Sequence, residues 1–213
     1  MPGWKPAIDR EAVRAALALP AFDVEAAWQA MIPGSRQRFP QPDEPARQAG
    51  VLVLLYPLMD ELHVVLTRRT DTLRGHSGQI SFPGGKRDPH DRSLVDTARR
   101  ETCEELGICA DDLDIIGSLS TVYIPPSNFE VYPSVAMLPD VPHFSPNPAE
   151  VAEVFSVPLA ALLDHSFKAS EYRDFQGTSY LIPYYALNGH KVWGATAIML
   201  SELEGRLRAV LPV

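Results

Sequence analysis

Long apolar runs are missing from this sequence, and with them any helix that could span a bilayer, which needs about 18 consecutive apolar residues. The opening residues, MPGWKPAIDREAV, lack the charged start and apolar core of a secretory leader, so the expected compartment is the cytoplasm. Cysteine is scarce: Cys103 and Cys109 are too few for a disulfide framework. Cys103 has no histidine or aspartate at a spacing that suits a nucleophile, and it is expected as a reduced thiol. Cations are in deficit as well, 19 Lys and Arg against 27 Asp and Glu, for a net charge of -8. That balance excludes a general nucleic-acid binder, which would present a basic surface to phosphates. Nucleotide-sized ligands stay open, because a local basic strip can coexist with an acidic whole.

What is present suits one well-filled globular unit: 213 residues, 46% of them hydrophobic and 22% charged. Residues 9–19 and 23–31 have helical spacing, with apolar stripes at Val13, Ala16 and Leu17, then at Val24, Ala27, Trp28 and Met31. Residues 33–48, PGSRQRFPQPDEPARQ, are Pro-rich and polar and read as a linker or wrapped loop. Residues 1–48 are therefore expected as helices and linker packed on a core domain of residues 49–213. From Gly50 the texture changes. VLVLLYPL and LHVVLTRR, separated by MDE, predict a hairpin of buried strands. Further strands are predicted around residues 79–82, in LDIIGSLST, VYPSVAML and EVFSV, and as a pair within TSYLIPYYAL. KVWGATAIMLSELEGRL reads as a strand end turning into an amphipathic helix. The result is a mixed sheet flanked by helices.

The stretch from Gly84 to Ile108, GGKRDPHDRSLVDTARRETCEELGI, carries the chemistry. Asp91 or Ser93 can cap the start of a helix, Gly107 sits where a left-handed C-terminal cap belongs, and no Pro or Gly intervenes. The helix has roughly four turns. At about 100° per residue, Val95, Ala98, Thr102 and Leu106 share one flank, while Glu101, Glu104 and Glu105 gather on another. Three carboxylates within one turn repel one another. Mg²⁺ or Mn²⁺ takes oxygen ligands of this kind, with substrate phosphates completing its shell. The alternative is a solvated helix face whose glutamates pair with Arg99 and Arg100.

The spacing resembles the Nudix box, in which a glycine loop leads into a helix that ends Arg-Glu-aliphatic-x-Glu-Glu-x-Gly-aliphatic. Arg100, Glu101, Glu104, Glu105, Gly107 and Ile108 match it. The preceding LTRRTDTLRGHSGQISFPGG resembles the extended signature of the coenzyme A pyrophosphatase branch, through Leu66, Thr67, Arg69, Arg74, Gly78, Phe82, Pro83, Gly84 and Gly85. Thr70, Thr102 and Asp91 depart from the usual residues, and eight residues rather than seven separate Asp91 from Arg100. The likeness covers about residues 50–205 and implies a Nudix-type α/β/α sandwich with a mixed sheet and an N-terminal helical extension.

It also implies metal-dependent cleavage of the pyrophosphate in coenzyme A or a derivative, giving 3′,5′-ADP and 4′-phosphopantetheine. Glu101 and Glu105 would be the principal ligands of Mg²⁺ or Mn²⁺, and Glu104 a further ligand or the group that holds water. One of the three would be the base, and Arg100 would brace them. Such an ion lowers the pKa of water and clamps phosphate oxygens. Gly84 and Gly85 permit close ligand approach. Among the nearby cations Arg68, Arg69, Arg74, Lys86 and Arg87, the expected substrate contacts are Arg69, Arg74 and Lys86, since guanidinium forks suit phosphate. His76 is expected to be structural, Ser77 and Gln79 are possible hydrogen-bonding groups, and Glu150 or Glu153 is a candidate assisting carboxylate. Trp193 and Gly194 echo a pair near the end of that branch and are given no catalytic role. The partner is thus a small nucleotide of coenzyme A type, with neither nucleic acid nor membrane, and monomer or homodimer is left open. Two alternatives stand: the same chemistry on ADP-ribose or a dinucleotide, and a non-catalytic Nudix-fold sensor.

Overall fold

A computed structural model describes residues 8–33, 44–71, 78–109, 113–175 and 177–211. The first two helices, α1 (Arg10–Leu17) and α2 (Val24–Gln29), each begin at an aspartate. Asp9 accepts the Ala12 N–H at 2.8 Å, and Asp23 accepts that of Ala26 at 3.0 Å.

The hydrophobic runs from Gly50 then build the sheet. Strands β1 (Arg47–Leu58) and β2 (Glu61–Arg69) form the expected antiparallel hairpin. Met59 and Asp60 both take left-handed φ, 50° and 64°, as a two-residue turn between twisted strands requires. Two short strands follow, β3 (Ile80–Ser81) and β4 (Gly84–Lys86), and then helix α3 (Leu94–Leu106). The glycine loop is thus partly a strand: β4 pairs antiparallel with β1, Gly84 opposite Val51 and Gly85 opposite Gly50.

Strands β5 (Asp114–Ser118), β6 (Val122–Ile124), β7 (Phe129–Met137) and β8 (Val151–Pro158) complete an eight-stranded sheet among the described residues. It is mixed: β7 runs parallel to β1, while β2 pairs antiparallel with β8. Because β1 is covered on both faces, its apolar run is continuous rather than alternating. Leu52, Leu54 and Tyr56 join Ala98 and Leu106 of α3 in one core, and Val53 and Leu55 join the other.

The second core is closed by a one-turn helix α4 (Leu159–Leu162), a three-stranded sheet of β9 (Lys168–Phe175), β10 (Thr178–Leu187) and β11 (His190–Trp193), and the long α5 (Ala195–Val210). Two expectations are corrected here. TSYLIPYYAL is one strand rather than a pair, because the turn falls later, at Asn188 and Gly189, both with left-handed φ. Helix α5 is not amphipathic in the ordinary sense, since Glu202, Glu204 and Arg206 are buried along with its apolar residues.

Those acids are satisfied inside the protein. Glu202 accepts from the Ser120 backbone and hydroxyl, from Trp28 Nε1 at 3.2 Å and from Arg206 Nε at 2.9 Å. Glu204 accepts from Lys168, Tyr185 and Arg208. A buried carboxylate is tolerated only with such partners, and these tie α2 and the end of β5 to α5. Of the expected linker at residues 33–48, residues 34–43 lie outside the described residues, and Arg47 and Gln48 already belong to β1. Among the described residues no helix is long and apolar enough to cross a membrane.

Candidate active site

Helix α3 is held against β1 by a missing side chain. A Cβ on Gly50 would stand 2.2 Å from the Leu94 carbonyl oxygen, so only glycine lets the helix lie so close. Ser93 supplies the N-cap, accepting the Asp96 N–H at 3.1 Å, and Gly107 closes the helix with φ 72°. Asp91, the other candidate cap, does something else. It is buried and accepts the Asp88 N–H at 2.9 Å, the Thr97 hydroxyl at 2.8 Å, and both Nε and Nη2 of Arg100 at 3.1 Å. The Arg100 fork holds its carboxyl well below the usual range, with Asp88 and Thr97 adding to the effect against the cost of burial.

Arg100 also stands 2.9 Å from Glu101, donates to Glu104 Oε2 at 3.1 Å and to the Lys86 carbonyl at 3.2 Å. It braces loop and glutamates together.

The three box glutamates have different surroundings. Glu105 is 3% exposed; its Oε2 accepts the Gly84 N–H at 3.2 Å and its Oε1 lies 3.7 Å from Arg69 Nη1. Burial raises its pKa to about 7, with Glu101 and Glu150 adding to the rise and the Gly84 N–H and Arg69 opposing it. Glu101 is half-buried beneath Gly85, where a Cβ would come within 2.5 Å of its carboxyl group. Its pKa is raised too, first by burial, with Glu104 and Glu150 adding and Arg100 opposing. Glu104 is exposed and turned to Arg100. The picture of one packed and one charged flank is therefore corrected: Glu105 belongs to the buried side, because β4 lies over it and offers it an N–H.

A fourth carboxylate joins the group by way of the helix end. The last carbonyls of α3 have no partner within the helix, and the loop at residues 141–150 supplies it. Ser145 N donates to Leu106 O at 2.8 Å and Asn147 N to Glu105 O at 2.9 Å. Asn147 Nδ2 then reaches Glu150 Oε1 at 3.4 Å, while Thr70 N donates to the Glu150 carbonyl at 2.9 Å. Glu150 is fixed close enough to raise both Glu101 and Glu105. Its companion candidate Glu153 lies elsewhere, with His190 at 3.2 Å and Arg68 at 3.9 Å.

Of the expected substrate contacts, Arg69 reaches Glu105, Gly84 and Gly85 cover the glutamates, and Lys86 is exposed beside a shallow groove it shares with Arg47 and Arg87. Arg74, His76 and Ser77 lie outside the described residues. Cys103 is not the expected reduced thiol. It is joined to Cys109, because the left-handed Gly107 turns the chain back and brings the two Cα atoms to 4.5 Å.

A family model of the NUDIX domain matches residues 46–175. The chain belongs to the Nudix hydrolase family. Among curated Nudix relatives, it is 38% identical to the uncharacterized Nudix hydrolase NudL of Photorhabdus laumondii, over 66% of this chain and 74% of that one. NudL of Yersinia enterocolitica is 36% identical, over 77% and 85%. Nudix hydrolase 15, mitochondrial, of Arabidopsis thaliana is also 36% identical, over 72% of this chain and 56% of that protein. The Nudix fold is shown in turn by a Nudix hydrolase from M. smegmatis, RenU, with TM-score 0.52, 18% identity, and coverage of 80% and 90%.

A divalent cation is typical of Nudix hydrolases, and the Nudix helix here fits one by the chemistry of its donors. Glu101, Glu105 and Glu150 are all oxygen donors, and burial and mutual repulsion suppress the ionisation of the first two. A cation beside them would favour their ionised forms. Among the described residues no three His, Cys, Asp or Glu side chains are placed together so as to hold a metal ion. Glu101 and Glu104 both pair with Arg100, at 2.9 Å and 3.1 Å, and Glu104 is the more exposed of the two.

Proposed function

We propose that this Nudix hydrolase cleaves the pyrophosphate of coenzyme A or a derivative, with Mg²⁺ or Mn²⁺, to 3′,5′-ADP and 4′-phosphopantetheine. The observation that carries the reading is the convergence of Glu101, Glu105 and Arg69 under the glycine pair of β4. A pyrophosphate resists attack because its oxygens are anionic, so a catalyst must offset charge on the transferred phosphoryl group and take a proton from water. A divalent cation held by Glu101 and Glu105 would supply charge neutralisation on the phosphate oxygens.

The chain's own residues supply the rest. Gly84 and Gly85 let the diphosphate lie against backbone, and Arg69 offers its guanidinium to non-bridging oxygens. Glu105 suits the base by its placement: the Gly84 N–H orients Oε2 while Oε1 is left toward Arg69, and in the metal-free chain burial raises its pKa to about 7. Arg100, locked on Asp91, fixes Glu101 and the loop carbonyl of Lys86.

The choice of coenzyme A rests on the signature ending at Phe82-Pro83-Gly84-Gly85, with Arg69 and Arg74 at their intervals. Its test is a substrate panel read by product mass: coenzyme A, an acyl-coenzyme A, ADP-ribose and a dinucleoside polyphosphate. Release of 3′,5′-ADP from coenzyme A at the highest kcat/KM is the expected result. Much faster turnover of ADP-ribose would overturn the assignment.

A further inference from the structure

Where β11 meets the residues before β3, a cleft of about 440 Å³ opens, within the range of small-ligand sites. Arg173, Lys191, His190 and Trp193 form one wall, and Gly78 and Gln79 the other. The guanidinium of Arg173 lies 4.6 Å above the Trp193 ring, which fixes its plane. Arg173 and Lys191 both pair with Glu171, so two cations share one carboxylate. Among the described residues that line the cleft there is no Asp or Glu. Acids do stand around it: Glu153 lies 3.2 Å from His190, and Asp71, on the Gly78 side, pairs with Arg68.

The wall is also close in the fold to the carboxylates. Arg69 N donates to the Gln79 carbonyl at 3.0 Å, and the same Arg69 reaches Glu105.

We propose that this cleft is a second anion-binding subsite, which takes the phosphorylated nucleoside end of the substrate, a nucleoside 3′,5′-bisphosphate. The assignment rests on the coenzyme A-type reading above. A phosphate monoester is met by the Arg173 fork and the Lys191 ammonium, which answer its charge better than one shared carboxylate does. The indole of Trp193 gives the flat base an aromatic surface.

The test is calorimetric titration of the whole chain, without divalent cation, by 3′,5′-ADP. The wild type binds it, and Arg173→Gln with Lys191→Gln weakens Kd by at least about tenfold. Arg10→Gln with Arg14→Gln removes the same charge at a distant pair on Asp114 and leaves Kd within about twofold. Either cleft substitution alone serves if the double variant does not fold. Absence of binding by the wild type, or equal Kd in cleft and control variants, overturns the subsite. The two readings fail separately. If 3′,5′-ADP binding depends on Arg173 and Lys191 but coenzyme A is not cleaved, the subsite stands and the hydrolytic reading falls. If coenzyme A is cleaved with KM unmoved by the cleft variants, the reverse holds.

Discussion

Arg100 grips Asp91 with two nitrogens, Nε on Oδ1 and Nη2 on Oδ2, each at 3.1 Å. This fork joins the loop before α3 to the helix turn that bears the glutamates. Asp91→Asn keeps the shape, removes the charge, and is expected to cost roughly 2 kcal/mol, moderated because Arg100 is partly solvated. Since the folded pKa of Asp91 is depressed, its stabilisation is present above the unfolded value of about 3.9 and is lost as pH falls below it. Thermal melts of wild type and Asp91→Asn should therefore differ at pH 7 and converge toward pH 2. Curves that remain parallel at acid pH would show that the fork contributes nothing through charge.

Glu105 has the opposite sign. Its pKa is raised to about 7 by burial, so the metal-free folded state holds a proton that the unfolded chain has already released above about pH 4.5. Stability must fall as pH rises from there to about 7, by on the order of 3 kcal/mol at about 1.4 kcal/mol per pKa unit. Glu105→Gln removes the titrating group, and its melting temperature should lose most of that slope. Mg²⁺ favours the ionised carboxylate and should stabilise wild type more at pH 8 than at pH 5. A Gln variant with the wild-type slope would place the titration on another group.

How much of this was legible in the sequence depends on whether the signal was local. Ser93, Gly107 and the hairpin turn at Met59 and Asp60 follow from neighbours in the chain, and the sequence places the helix and hairpin well. The partner of Asp91 is nine residues away, within α3, so its identity as a clamp rather than a cap emerges only from the fold. The sequence offers Glu150 and Glu153 as candidates without choosing between them; what favours Glu150 is the loop held by the backbone N–H groups of residues 145 and 147, which carry no side-chain signal. The strand at residues 168–175, KASEYRDF, is too polar to read as one; it forms because β10 pairs along its length. Gly50 could have been suspected, as an isolated glycine at the start of a strand pattern marks a close backbone approach.

Three of the carboxylates should separate by kinetics. Glu105→Gln is expected to lower kcat by about 10²- to 10³-fold, as loss of a positioned base and ligand does. Glu104 is exposed and held on Arg100, so Glu104→Gln should cost about tenfold or less, with Glu150→Gln between the two. Steady-state kinetics at saturating Mg²⁺ read the order. Equal losses for Glu104→Gln and Glu105→Gln would mean that Glu104 leaves Arg100 to join the reacting group.

Two glycines separate packing from chemistry. At Gly50 an added methyl meets the Leu94 backbone oxygen at 2.2 Å, which cannot yield without moving α3 from the sheet. At Gly85 the same methyl meets the end of the Glu101 side chain at 2.5 Å, and a side chain can swing aside. Gly50→Ala is therefore expected to destabilise the protein by about 2 kcal/mol or more, in the range of overpacked cores. Gly85→Ala should fold with a melting temperature within a few degrees of wild type, yet lose activity by about tenfold or more, because Glu101 is displaced and the diphosphate is kept from the backbone. Differential scanning calorimetry and kcat measured on the same samples decide it. An active Gly85→Ala would mean that Glu101 has room to spare beneath the loop, and the close contact of β4 with the Nudix helix would not be what orders the site.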